Sequence, residues 1–175
     1  MKVVLGVAGS IAAYKACELV RLLVKDGFDV RVVMTAAARE FVTPLTFQTL
    51  SRNPVGIDQF ALPERWQPEH IALAQADAVV VAPATANVIA KMACGIADDL
   101  LTSTVLATRA PVIVAPAMNS GMWENCVTQE NLGRLRSRGV IVVPPADGEL
   151  ACGASGRGRM ADVSGILAAV RNASS

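Results

Sequence analysis

The chain has 175 residues, enough for one domain with a substantial core. Apolar residues make up 53% and charged residues 18%. The formal charge is +1 with no basic block, which argues against nucleic acid or an anionic membrane surface as the partner. So apolar a composition predicts surface buried between subunits, and hence a homo-oligomer.

In chain order, Val3–Ala8 is a short apolar run closed by Gly9 and predicts a buried strand. The apolar N-terminus imitates a signal peptide, but Gly9-Ser10 opens a long amphipathic helix and no clean cleavage site precedes a new domain. Within Ile11–Lys25, polar residues at Lys15, Glu18, Arg21 and Lys25 form one narrow stripe on an otherwise apolar helix, which Gly27 closes. Asp29–Met34 predicts the second strand, ending at Thr35. Pro44–Leu50 reads as a short helix and Asn53-Pro54 as a turn. The irregular stretch Arg52–Glu69 reads as a long loop, a feature often tied to function.

Asp77–Pro83 predicts a central strand. A helix from Thr85 runs past Lys91 to a break near Gly95, and another covers about Asp98 to Thr108. Pro111–Ala115 is a further buried strand, followed by Pro116-Ala117-Met118-Asn119. Thr128–Arg138 is helical, Val140–Val143 is the last strand of the sheet, and a helix closes near Ser164–Arg171. Between them, Gly148–Met160 is glycine-rich and reads as a mobile flap. Continuous apolar strands alternating with helices predict a single doubly wound α/β domain over 1–175, with a parallel Rossmann-like sheet covered on both faces. Ligands then sit at the carboxyl ends of the strands. The uncharged stretch Ala78–Ala90 is too short to span a bilayer.

Loops at that edge carry the candidate chemistry. Gly9, Ser10 and Ile11 sit where a helix start favours an anion, though the full G-x-G-x-x-G spacing is missing, so a mononucleotide phosphate fits better than a dinucleotide. An ordinary strand-to-helix turn with Ser10 as N-cap explains the same residues. Thr85-Ala86-Asn87 repeats the arrangement, and Thr35 adds another hydroxyl. Asn119, directly after a buried strand, can donate to a carboxylate or cap a helix. His70 is the lone imidazole and therefore the only histidine able to move a proton near neutral pH. Cys152 lies in the glycine-rich segment, where a thiol is more accessible than Cys17 or Cys94 on helices. The cysteines form no C-x-x-C pair, and a single histidine cannot complete a usual zinc site, so no metal and a reduced, cytoplasmic chain are expected.

Together these segments resemble the flavin-containing cysteine decarboxylases. The resemblance rests on Gly9–Lys15, the G-x-A-x-D-L-L pattern at Gly95–Leu101, P-A-M-N-x-x-M-W at Pro116–Trp123, A-C-G-x-x-G-x-G-R-M at Ala151–Met160, and the family histidine at His70. The branch acting on phosphopantothenoylcysteine in coenzyme A biosynthesis is the nearest. The resemblance implies a flavodoxin-like flavoprotein that binds FMN through Gly9, Ser10, Ile11, Thr35, Thr85, Ala86, Asn87, Val88 and Met118. It implies substrate contacts from Asn119, Leu150, Ala151, Gly153, Arg159 and Met160. It further implies homotrimers or dodecamers with the cofactor at a subunit interface, and a phosphopantothenate–cysteine ligase that is often fused to this domain.

The implied reaction starts from a carboxylate with no electron sink. Oxidising the CH2–SH end to a thioaldehyde creates one, CO2 leaves, and the resulting enethiolate is reduced and protonated. By resemblance His70 is the acid–base group of the oxidation, Asn119 orients the carboxylate, and Cys152 protonates the enethiolate. Two alternatives stay open: a peptidyl-cysteine decarboxylase that stops at the enethiol, and a non-enzymatic flavin-binding regulatory subunit.

Overall fold

Apolar runs without alternation become the middle of the sheet. The structure, a computed structural model, describes residues 1–60, 68–149 and 155–173. Strands β1 (Lys2–Val7), β2 (Asp29–Met34), β3 (Ala78–Ala84), β4 (Val112–Pro116) and β5 (Ile141–Val142) form one sheet in the order β2-β1-β3-β4-β5. Every neighbouring pair is parallel. Alternate residues of one strand feed opposite cores: Val3, Leu5 and Val7 go to one and Val4 to the other, as Val80 and Val81 do on β3. Burying each such side chain is worth about 1.5–3 kcal/mol, so neither face tolerates a polar residue there.

The first face is covered by α1 (Ala13–Lys25), α2 (Pro44–Ser51) and α8 (Val163–Ala173). On α1, Ala13, Ala16, Leu19, Val20 and Leu23 recur at helical spacing and are fully buried. Its C-terminus is tied to α8, where Arg171 Nε donates to Asp26 Oδ2 at 2.7 Å and holds the Asp26 carboxyl below the usual carboxylate range. The opposite face carries α3 (Glu69–Ala74), α4 (Ala86–Cys94), α5 (Leu100–Ala107), the short α6 (Ser120–Glu124) and α7 (Cys126–Ser137). Helix α5 comes so close to β1 that a Cβ on Gly6 would meet Leu101 Cδ1 at 2.3 Å. No helix of the described residues is long and apolar enough to cross a membrane.

Local signals explain the boundaries. Gly95 ends α4 in the left-handed region, φ 72°, which costs a glycine little. Asp99 starts α5 through a capping box: its Oδ1 accepts from Thr102 N at 2.7 Å, and Thr102 Oγ1 accepts from Asp99 N at 3.2 Å.

The structure departs from the sequence expectations in several places. Helix α1 begins at Ala13, so Ser10 caps only the turn before it, with Oγ accepting from Ala12 N at 3.2 Å. A 3-10 turn, Ala36–Glu40, follows β2. Glu69, the last residue of the expected long loop, instead starts α3, which carries His70. Gly56, inside that loop, bridges Val33 and extends the β2 edge. The last strand of the sheet is only Ile141–Val142. The two ends of the glycine-rich segment pair as an antiparallel ribbon, β6 (Ala146–Glu149) and β7 (Ser155–Arg159), separate from the main sheet.

Candidate functional site

At the carboxyl edge of the sheet, the loops after β1, β2, β3 and β4 enclose a cavity of about 640 Å³. Its walls include Gly9, Ser10, Ile11, Thr35, Thr85, Ala86, Asn87, Val88 and Met118, which is every residue that the sequence assigns to the cofactor. The strand order reverses between β1 and β3, and the ligand crevice of an open α/β sheet lies at such a switch point.

The loops hold one another in place. Gly9 lies against Ala37 with no room for a side chain. Thr35 Oγ1 accepts from Ala38 N at 3.2 Å, and Thr85 Oγ1 accepts from Val88 N at 3.3 Å, so each threonine caps the turn or helix it precedes. Ala117 N donates to Ala84 O at 3.0 Å and joins the β4 loop to the β3 loop.

The donor set fits a phosphorylated flavin. Hydroxyls of Ser10, Thr35 and Thr85 and the amide of Asn87 line the cavity, at positions where the first turn of α4 presents backbone N–H groups that lack intrahelical acceptors. Ile11, Phe41, Val88, Met118 and Met122 supply an apolar lining for a flat ring. The volume lies in the range of small-molecule sites.

Sequence reasoning missed part of this wall. Ala36 and Ala37 belong to the unpredicted 3-10 turn, Phe41 follows directly on it, and Met122 lies in α6. Lys91 and Asp99 line the cavity too. Lys91 Nζ bonds both carboxylate oxygens of Asp98 at 2.8 Å and lowers the pKa of that acid. The D-x-x-T pattern at Asp99–Thr102 was the available signal for the α5 cap.

The expected catalytic residues separate. Asn119 follows cavity-lining Met118 and caps α6, its Oδ1 accepting from Gly121 N at 2.8 Å. The cap fixes the side chain's orientation, so the capping and carboxylate-orienting readings are compatible. His70 sits half-buried in the first turn of α3, a helix packed on α5, and is not among the cavity's described lining residues. Its neighbour Glu69 has its carboxyl against Gly56, and burial raises its pKa. Cys152, with Leu150, Ala151 and Gly153, lies outside the described residues. Arg159 is exposed on β7. Met160 is fully buried in the core with α1 and α8, so its visible role is packing rather than substrate contact.

A second cavity of about 610 Å³ lies at the opposite edge, among the helix ends at Gly95, Thr108 and Gly139 and the starts of β4 and β5. It lacks the loops that follow strands, and none of the expected site residues reaches it.

Comparison with known proteins matches this geometry. The sequence model of the family described as Flavoprotein matches residues 1–175. The coenzyme A biosynthesis bifunctional protein CoaBC of Vibrio cholerae is 51% identical over 172 residues, covering 98% of this chain and 43% of the relative. The chain therefore spans under half the length of that relative. Among solved structures, a PPC decarboxylase variant complexed with pantothenoylaminoethenethiol superposes with a TM-score of 0.88 at 34% identity, covering 98% of this chain and 96% of the other. The FMN-dependent cysteine decarboxylase SpaF superposes at 0.84 with 33% identity, covering 100% of this chain and 98% of the other.

Proposed function

This chain belongs to the flavoprotein family of flavin-dependent cysteine decarboxylases, and on that premise we propose that it decarboxylates 4'-phosphopantothenoylcysteine to 4'-phosphopantetheine in coenzyme A biosynthesis. The observation that carries the reading is the convergence of the expected flavin-binding residues on one cavity, with Asn119 next in sequence to its wall. In this reading the cofactor is FMN, because the loops offer short hydroxyl-bearing turns for one phosphate and no dinucleotide glycine pattern. Bound there, flavin supplies hydride acceptance from the substrate's CH2–SH carbon and hydride return once CO2 has left.

The chain's own residues position the substrate and manage its protons. Asn119, fixed by its cap, orients the carboxylate that is lost. His70 handles the proton of the oxidation step. Cys152 gives the proton to the enethiolate, the step that separates this reading from a peptidyl-cysteine decarboxylase that releases the enethiol.

His70 is not among the described residues that line its own chain's cavity, and in this reading it serves the cavity of a neighbouring copy. Two apolar faces support such a head-to-tail ring. Around the cavity lie Ile11, Phe41 and Met122, with Tyr14 and Leu45 exposed at 60% and 69% on the adjoining α1 and α2. On the His70 side, Ile71 of α3 and Leu106 of α5 are exposed. In this reading the two faces meet head to tail and the rotation closes into a trimer, itself able to build a dodecamer. A phosphopantothenate–cysteine ligase, fused or separate, supplies the substrate in the cytoplasm.

The test is mass analysis of products from phosphopantothenoylcysteine and from cysteine-ending peptides. The expected product is phosphopantetheine from the small substrate. Enethiol alone, formed from peptides, would transfer the assignment to the peptide-modifying branch.

A further inference from the structure

The β6–β7 ribbon touches the Asn119 segment along three consecutive residues. At Gly156, a Cβ would lie 2.4 Å from Ser120 Oγ. At Arg157, the guanidinium stands 6.0 Å from the centroid of the Trp123 ring, which is itself buried. At Gly158, the carbonyl accepts from Met118 N at 3.0 Å, and a Cβ would lie 2.2 Å from Met118 O. The ladder explains why Gly158 turns outward. Ala146 pairs with Arg159 and Asp147 with Arg157, so Gly158 is the extra residue of a bulge, and its φ of 154° suits glycine. Its backbone is thereby released from β6 to bond Met118. Ser120 Oγ is buried with no hydrogen-bond partner among the described residues, so this junction is held by close packing rather than by a polar bond there.

We propose that Gly156–Arg157–Gly158 is a register clamp for the Met118–Trp123 segment, and that Ser120, Arg157 and Gly158 are positioning residues for Asn119. The clamp brackets Asn119: Met118 is fixed on one side, and Ser120 and Trp123 on the other. It sets where the Asn119 amide stands for a substrate carboxylate, while the loops that line the flavin cavity after β1, β2 and β3 do not depend on it. This inference rests on the decarboxylase reading for its ligand, but its geometry is independent of that reading.

The experiment uses the flavin-loaded holoprotein. Gly156→Ala, which drives a methyl into Ser120 Oγ, should raise KM for phosphopantothenoylcysteine roughly tenfold, since a displacement near 1 Å is costly at a reacting centre. Flavin affinity should change far less than KM, because the loops after β1, β2 and β3 hold their part of the cavity independently of this segment. Affinity for phosphopantetheine, which lacks the carboxylate, should be unchanged. Adding Ser120→Ala removes the nearest atom and should recover most of the loss, a coupling expected only of residues in contact. Arg157→Ala, at an exposed position, should raise KM in the same selective way without threatening the fold.

A second measurement needs no turnover: the side-chain amide resonance of Asn119 should shift in Gly156→Ala and return in the double variant. If the unaltered protein does not turn over phosphopantothenoylcysteine, the functional reading falls and the clamp is judged on this resonance. An unmoved resonance overturns the clamp. So does a KM that stays at the unaltered value, or one that rises together with the dissociation constant for phosphopantetheine.

Discussion

Gly9 and Ala37 meet so closely that a Cβ on residue 9 would sit 2.4 Å from Ala37 Cβ and 2.9 Å from its carbonyl carbon. The contact locks the loop after β1 to the turn after β2, and both loops line the cavity. Gly9→Ala must part them. Overpacking of this kind costs about 1–3 kcal/mol, and 1.4 kcal/mol is tenfold in affinity. The variant should keep its far-UV circular dichroism yet bind flavin at least about tenfold more weakly in a fluorescence titration. Unchanged affinity would mean that the two loops adjust independently.

Thr85→Ala removes the N-cap of α4 and a hydroxyl from the cavity wall together. Loss of such a cap costs about 1 kcal/mol of stability. The melting temperature of the flavin-free protein should fall, and flavin affinity should fall with it. Thr85→Ser keeps the oxygen and should match the unaltered protein in both measurements. On denaturation the holoprotein should release FMN and no FAD, read by chromatography of the supernatant.

His70→Asn should leave flavin bound and slow substrate oxidation by about a hundredfold or more, the usual worth of a general acid–base group. Asn119→Asp should also be impaired, since it sets a like charge against the substrate carboxylate. Co-expressing the two variants distinguishes the ring from a self-contained site. If His70 serves a neighbouring copy, some cavities in mixed oligomers regain both residues and activity returns. Mixed oligomers as inactive as their parents would put His70 and Asn119 in the same site on one chain.

Glu69 gives a pH prediction. Burial raises its pKa, so the folded protein holds this proton more firmly than the unfolded chain does. Its contribution to stability is fully present below the unfolded value of about 4.3 and is lost as pH rises through the raised folded value. Glu69→Gln removes the buried charge. It should melt higher than the unaltered protein at pH 7, with the gap closing near pH 4. A gap that widens toward acid would show that the carboxylate is stabilised in the fold instead.

The flavin cavity was legible in the sequence because position after a buried strand fixes where a loop lies in a parallel sheet. Gly9-Ser10-Ile11, Thr35, Thr85–Val88 and Met118 all follow such strands, and all line one space. The 3-10 turn was hidden because Ala36-Ala37-Ala38 carries no polar period. Lys91 and Asp99 fall within the helical stretches read from the pattern, and it is tertiary packing that places them at the cavity wall. The α3 helix holding His70 is six residues long, too short to show a repeat, although Pro68 and Glu69 are apt at a helix start. The β6–β7 ribbon has no β-branched residue in Ala146–Glu149 or Ser155–Arg159. Its pairing follows from docking on Met118 rather than from propensity.

The bond between Asp26 and Arg171 joins residues 145 positions apart, and it marks the seam where α8 covers α1. A ribosome adding about 5–20 residues per second needs on the order of ten seconds to travel that distance. Throughout that interval Leu19, Val20 and Leu23 have been synthesised while Ile166, Leu167 and Val170, their neighbours in the same core, have not. The first helix of the nascent chain thus waits, until α8 emerges, with its apolar stripe incompletely covered.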